Sequence, residues 1–294
     1  MVADYRPVAE GFKKTPLIEA VIDVTFVDEL SPELTSELRE IIGVNYPAYS
    51  EEALRAFQID LETDTASIQP TNAIYRFLGD DPLEIALLRP NGFAASQLAP
   101  YKCWEELFSR FTRDSTLVFA ATEIKAARIA TRFINRIDVP TTDGIAQYEE
   151  YLGVHIHVPK EIENIGPFQL AFQLDGPEHK AKVVIQSSVT EPAIEGVASF
   201  TLDIDVAQSQ DLPESWADCL ANLAGFRDLK NYFYRTLLTP KALEEFELLL
   251  SRLHGKATQL LGRMFALHRF VLPTIGSLYF RRTMSAFSSL MPMN

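Results

Sequence analysis

One order of sequence patterns, read twice along the chain, restricts the available folds more than any other feature. Leu17 to Val27 (LIEAVIDVTFV) sets Glu19, Asp23 and Thr25 on one parity and Ile18, Ile22, Val24 and Phe26 on the other. A period of two predicts a strand with one face buried. Ser31-Pro32 then supplies an N-cap and a first-turn proline, and Leu34, Leu38, Ile41 and Ile42 follow at helical spacing until Gly43. Phe57 to Leu61, Ala73 to Leu78 and Leu83 to Leu88 predict an antiparallel meander, with Gly79-Asp80-Asp81-Pro82 as the last hairpin connection. Pro100 is expected to open a helix with Tyr101, Trp104, Phe108, Phe111 and Val118 on one stripe.

The second pass starts at Arg128 to Val139 (RIATRFINRIDV), a predicted strand, with a helix expected over Thr141 to Leu152. Phe168 to Leu174, Lys182 to Ser187 and Ser199 to Val206 are predicted strands, turned by Gly176-Pro177. Pro213 opens a helix carrying Trp216, Cys219, Leu220, Leu223, Phe233 and Leu237, so proline followed within a turn by tryptophan begins both closing helices. The expected fold is α+β, with two pseudo-repeated β-α-β-β-β-α halves over 1–122 and 123–246, related by order of elements rather than by residue identity. The joint at Thr122 to Ala127 is short and not rich in Pro, Gly or Ser, which favours tightly joined halves. One continuous antiparallel sheet and two sheets meeting across an interface both satisfy this pattern. Thr239-Pro240 caps a further helix whose seam of Leu243, Phe246, Leu250, Leu253 and Leu260 suits either packing on the core or pairing with a second copy.

Charge divides the chain unevenly. The whole carries 27 Lys and Arg against 40 Asp and Glu, a net charge of −13. Every base after Ser251 (Arg252, Lys256, Arg263, Arg269, Arg281, Arg282) is unaccompanied by an acid. The body is therefore more acidic than the total suggests, and nucleic acid is disfavoured as its partner because phosphate binding draws on lysine and arginine. Residues 247–294 are expected to be a basic, helical extension in which Pro273, Gly276 and Pro292 break any sustained apolar face, so poor packing is expected. Its mixture of Phe, Leu, Met and Arg admits contact with an anionic membrane surface as a weaker reading. Met1 to Lys14 lacks an export signal, no apolar run reaches membrane-spanning length, and Cys103 and Cys219 fit no zinc or disulfide pattern. The expected compartment is the cytoplasm.

Candidate chemistry is sparse. Gly-rich phosphate loops, nucleophile elbows, HExxH and CxxC are missing, so no catalytic residue, metal or cofactor is assigned. Arg132 and Arg136 share one side of a predicted strand and are candidates for holding a carboxylate or phosphate; pairing with acids such as Glu19 or Asp23 is the favoured alternative. Asn135 falls on the opposite parity, among apolar neighbours, where it must find backbone partners. Asp203 and Asp205 lie on one face about 7 Å apart and are expected to form part of a solvated polar surface. His155 and His157 are expected to be exposed strand histidines, and Cys103 and Cys219 core thiols.

Five segments resemble a sporadically distributed, uncharacterised bacterial protein family: Pro16 to Phe26 (PLIEAVIDVTF), Asn91 to Trp104 (NGFAASQLAPYKCW), Arg132 to Pro140 (RFINRIDVP), Leu202 to Asp205 (LDID) and Tyr232 to Lys241 (YFYRTLLTPK). They span most of Leu17 to Phe246 in order. The resemblance implies no activity. It implies a patchy distribution like that of genes carried on mobile elements, including defence loci. It also implies a chain ending near the Thr-Pro-Lys helix, so the basic tail departs from the pattern as a translated frameshift or a lineage-specific extension.

The function expected is non-catalytic binding of another macromolecule, a protein, with a homodimer as one arrangement. The alternative is a small-ligand sensor or enzyme with an anion-binding pocket between the halves, lined by Glu19, Arg132, Asn135 and Arg136.

Overall fold

The computed structural model describes residues 16–60, 65–142, 144–156, 159, 167–176, 180–192 and 195–244, the side chains of 54–60 and 65–71 excepted. Residues 1–242 form one compact unit, and a second begins at Leu243. Of the helix begun by Thr239-Pro240, only its first turn is described; the remainder of its seam and the basic extension lie outside the described residues.

The first pass yields β1 (Leu17–Phe26), α1 (Pro32–Gly43), β2 (Ala48–Asp60), β3 (Thr65–Leu78), β4 (Glu84–Arg89), β5 (Gly92–Leu98) and α2 (Trp104–Ala121). The second yields β6 (Ala126–Thr142), β7 (Ile145–Ala146), a 3₁₀ turn at Tyr148–Glu150, β8 (Gln169–Asp175), β9 (Lys182–Thr190), β10 (Val197–Gln208) and α3 (Trp216–Leu237). The fold is α+β, built on one continuous sheet in which every pairing is antiparallel. Its order is β2-β3-β4-β5-β1-β6-β10-β9-β8, with β7 paired to the end of β6.

Two expected elements differ. No helix forms over Thr141 to Leu152: β6 continues to Thr142, turns through Gly144 at a φ of 78°, and returns as β7. Ile145, Tyr148 and Leu152 fall at helical spacing, but the backbone finds partners elsewhere: Thr141 and Thr142 pair with Ala146 and Ile145, the Thr141 N–H donates to the Gly196 carbonyl at 3.0 Å, and the Gly153 N–H donates to the Leu237 carbonyl at 2.7 Å. The first half also holds a strand more than expected, because Gly92 to Leu98, small and weakly alternating, is β5 and is buried along its whole length. Helix starts shift as well. Both closing helices begin at their tryptophans, Trp104 and Trp216, rather than at the preceding prolines, with Ser215 capping the second through a 3.1 Å bond from Asp218 N–H.

The alternation in β1 is the one the sequence predicts. Ala20, Ile22, Val24 and Phe26 face the helices, where Phe93, Phe133, Ile137, Phe200, Leu202 and Ile204 complete a buried layer. These helices cover this same face: α1 over β3 and β4, α2 over β5 and β1, α3 over β6 and β10. Aromatic rings join them. Trp216 stacks on Phe119 at 4.1 Å between centroids, and Trp104 lies 6.1 Å from Phe133.

Candidate functional site

The opposite face of the sheet carries the residues singled out by charge. Among the described residues no helix covers it, yet its centre is not a solvated surface. Ala130 is 2% exposed and Asp203 7%. The expectation that Asp203 and Asp205 lie on a solvated face is therefore corrected: both are held in ion pairs.

The pairs form two rows across the strands, with signs alternating. In the first, Arg89 of β4 bonds Asp23 of β1, Arg128 of β6 lies 3.8 Å from Asp23, and the same Arg128 donates to Asp205 of β10 at 2.6 Å. In the second, Arg132 of β6 reaches Asp203 of β10 with two prongs, Nε to Oδ1 at 2.9 Å and Nη2 to Oδ2 at 2.5 Å. Glu19 of β1 completes that row, accepting from the Ser96 hydroxyl and lying in the fields of Arg132 and Arg76. Register explains the geometry. Asp203 stands opposite Ile134, so Arg132 meets it diagonally, within reach of a long side chain. A fork of this kind is the strongest arrangement an arginine makes with a carboxylate.

Burial acts on these groups in opposite senses. It raises the Glu19 carboxyl above its ordinary range, against the lowering pull of Arg132, the Ser96 hydrogen bond and Arg76. It raises Asp205 likewise, more than Arg128 and Arg132 lower it, and Asp205 Oδ1 is buried without a hydrogen-bond partner among the described residues. For Arg132 burial opposes the charge, but the hydrogen bonds and charge of Asp203, with Asp205 and Glu19, outweigh it and raise its pKa.

Gly92 is required where the first row crosses β5. A Cβ there would sit 2.5 Å from the Val24 carbonyl oxygen and 2.8 Å from Arg89 Nη2. Glycine thus lets the Arg89 guanidinium pass over β5 towards Asp23.

The four candidate ligand residues do not form one site. Glu19 and Arg132 are neighbours in the second row. Arg136 lies further along β6 and is occupied otherwise, by Asp138 at 3.0 Å, Ser199 Oγ at 2.9 Å and the Glu191 carbonyl at 3.1 Å. Asn135 faces the helix side, where its Nδ2 donates to the Leu202 carbonyl at 3.1 Å, tying β6 to β10. The partners proposed for the arginines also need revision: Arg132 is bonded by Asp203, while Asp23 serves Arg89 and Arg128.

The remaining candidates fall elsewhere. His155 is exposed beside Tyr148 but not in a strand, and His157 lies outside the described residues. Cys219 is a core thiol, whereas Cys103 is half-buried at the start of α2 rather than in the core. No group of three potential metal ligands assembles among the described residues. A shallow depression lined by Glu84, Glu105, Glu106, Ser109 and Arg110 is acidic on balance and ill suited to an anion.

No pattern along the chain points to Lys230. Its Nζ sits 3.9 Å from the centre of the Phe133 ring on the helix face. Burial, helped by Arg227, pushes its amine down to about 7. Tyr101, whose ring also touches Phe133, has a buried hydroxyl with no hydrogen-bond partner among the described residues. A lysine on an amphipathic helix carries no sequence signal of such a half-buried setting against a ring.

No helix among the described residues is long and apolar enough to cross a membrane. Compared with known proteins, the chain matches no family and no curated relative.

Proposed function

We propose that this chain is a non-catalytic binding module whose partner is another protein, and that its sheet combines two related halves. The observation that carries the binding reading is the self-neutralised charge lattice. The arginines best placed to hold an anionic ligand spend their donors on Asp203, Asp205, Asp23, Asp138 and Ser199. A guanidinium fork already filled by carboxylate offers little to a phosphate unless an ion pair is broken, which is costly in a shielded site. The small-ligand alternative, with Glu19, Arg132, Asn135 and Arg136 around one pocket, loses its geometric basis because Asn135 faces the other side of the sheet.

The duplication is supported by topology. Each half places its first strand beside its last, β1 by β5 and β6 by β10, and extends β4, β3 and β2 or β9 and β8 outwards, with the short β7 off this path. The two first strands meet at the centre, and each closing helix packs on its own half's first and last strands. A mobile-element or defence setting is the context we propose from the sequence resemblance, and the neighbouring genes test it.

Thermal-shift screening against inorganic phosphate, nucleotides, sugar phosphates and divalent metals tests the binding reading. No stabilisation is expected. A ligand at a hundred times its dissociation constant adds about 2.7 kcal/mol, and a reproducible hit of that size, abolished by Arg132→Met, would restore the small-ligand alternative.

A further inference from the structure

We infer that β8 is a self-association edge, through which two copies of this chain join their sheets antiparallel about Phe172. This goes beyond partner binding and stands whether or not that reading holds. The strand Gln169–Asp175 (QLAFQLD) ends the sheet, and among the described residues nothing pairs with its outer side. The backbone directions are fixed by its neighbours: Phe168 O accepts from Val189 N at 3.2 Å, and Gly176 N donates to Ala181 O at 2.7 Å. Even-numbered residues therefore bond inwards to β9. Gln169, Ala171, Gln173 and Asp175 turn their N–H and C=O groups outwards.

An open edge of this kind is ordinarily guarded by charge, proline or a bulge. β8 has none of these along its middle. Its one charge, Asp175, is at the end and is bonded by Lys182. At the other end of the sheet, β2 exposes Glu51 and Glu52, which repel a like copy.

The sequence of β8 is complementary to itself. Leu170, Phe172 and Leu174 lie on the helix side, continuing the layer of Ile185 and Val183, and Leu174 remains 37% exposed. Paired antiparallel about Phe172, Leu170 meets Leu174 of the partner subunit and Phe172 meets its equivalent. Ala171 meets Gln173 of the partner subunit, and Asp175 meets Gln169 of the partner subunit, so no like charges oppose each other. All four outward-facing residues then exchange both backbone hydrogen bonds, and the twofold arrangement is closed. The paired length is about 23 Å, a small contact, so a reversible dimer in the micromolar range is expected.

Sedimentation velocity of the full chain from low to high micromolar concentration tests this. Ala171 and Gln173 are exposed, so A171K/Q173K places lysine opposite lysine without touching the core, and it should weaken dimerisation at least tenfold. A171K/Q173E places lysine opposite glutamate and should restore it. If the double-lysine chain lost its cooperative melting, Gln173→Pro, which removes an outward donor but no β9 bond, would take its place with the same expected loss. A wild-type chain that is monomeric throughout, or a dimer indifferent to these changes, would overturn the proposal.

Discussion

Replacing Arg132 by Met keeps most of the apolar stem and removes the guanidinium, leaving Asp203 buried beside Glu19 and Asp205. The Asp203 side chain is 9% exposed and that of Arg132 31%. Breaking a fully buried pair from one side costs about 3–5 kcal/mol. Water at the arginine screens part of that, and an expected loss of about 2–3 kcal/mol follows. In a body of this size each kcal/mol lowers the melting temperature by about 2–4 °C, so Arg132→Met should melt roughly 5–10 °C below wild type. Arg132→Lys should fall between, because an ammonium keeps the charge but not the fork. Removing both charges in Arg132→Met/Asp203→Leu should cost less than Arg132→Met alone, since no orphaned carboxylate is left behind. Urea unfolding of wild type, Arg132→Met, Asp203→Leu and the double variant, read as midpoints at a common slope, gives the coupling directly. A single variant within about 0.5 kcal/mol of wild type, or a double variant whose loss equals the sum of the singles, would refute a lattice held by mutual neutralisation.

Further outcomes follow from the same structure. Glu19 has a raised pKa when folded, so the native state keeps its proton more readily than the unfolded chain; its penalty grows as pH rises above the ordinary glutamate value and is complete above the folded one. Glu19→Gln should therefore gain stability relative to wild type across that rise, and an unchanged difference between acid and neutral pH in paired melting curves would count against the burial argument. Lys230 is the reverse case: its folded pKa of about 7 lies below its unfolded value, so the unfolded chain binds the extra proton and stability rises with pH from about 7 towards 10.5. Lys230→Met should stabilise most at and below pH 7 and lose its advantage at high pH; a pH-independent effect would mean that the Phe133 ring keeps the ammonium charged. Asp114, fully buried, accepts from Tyr46 Oη at 2.5 Å and Asn45 Nδ2 at 3.0 Å, so Tyr46→Phe should cost about 1–3 kcal/mol in urea unfolding. Gly92→Ala should cost about 1–3 kcal/mol or more by pushing the added carbon onto Val24 O and Arg89, and a neutral melting curve would show that the β1–β5 contact is looser than described.

The signals legible along the chain are local. The period of two in Leu17 to Phe26 and Arg128 to Val139, and the caps at Ser31 and Thr239, are short-range signals that survive folding because burial agrees with them. Parity alone also separated Asn135 from Arg132 and Arg136. Which strands become neighbours is a matter of the assembled sheet. Nothing in the chain says that β6 lies between β1 and β10, and that placement is what gives Arg132 its Asp203, gives Arg128 both Asp23 and Asp205, and makes one sheet of two meanders. Thr141 to Leu152 departs from its helical pattern for the same reason: its backbone takes partners distant from its own turn, β6 for Ile145 and Ala146 and the residues closing α3 for Leu152 and Gly153. The half-buried setting of Lys230 and the exposure of the β8 edge belong to the same class. Each is a property of distance across the fold, which a pattern along the chain does not encode.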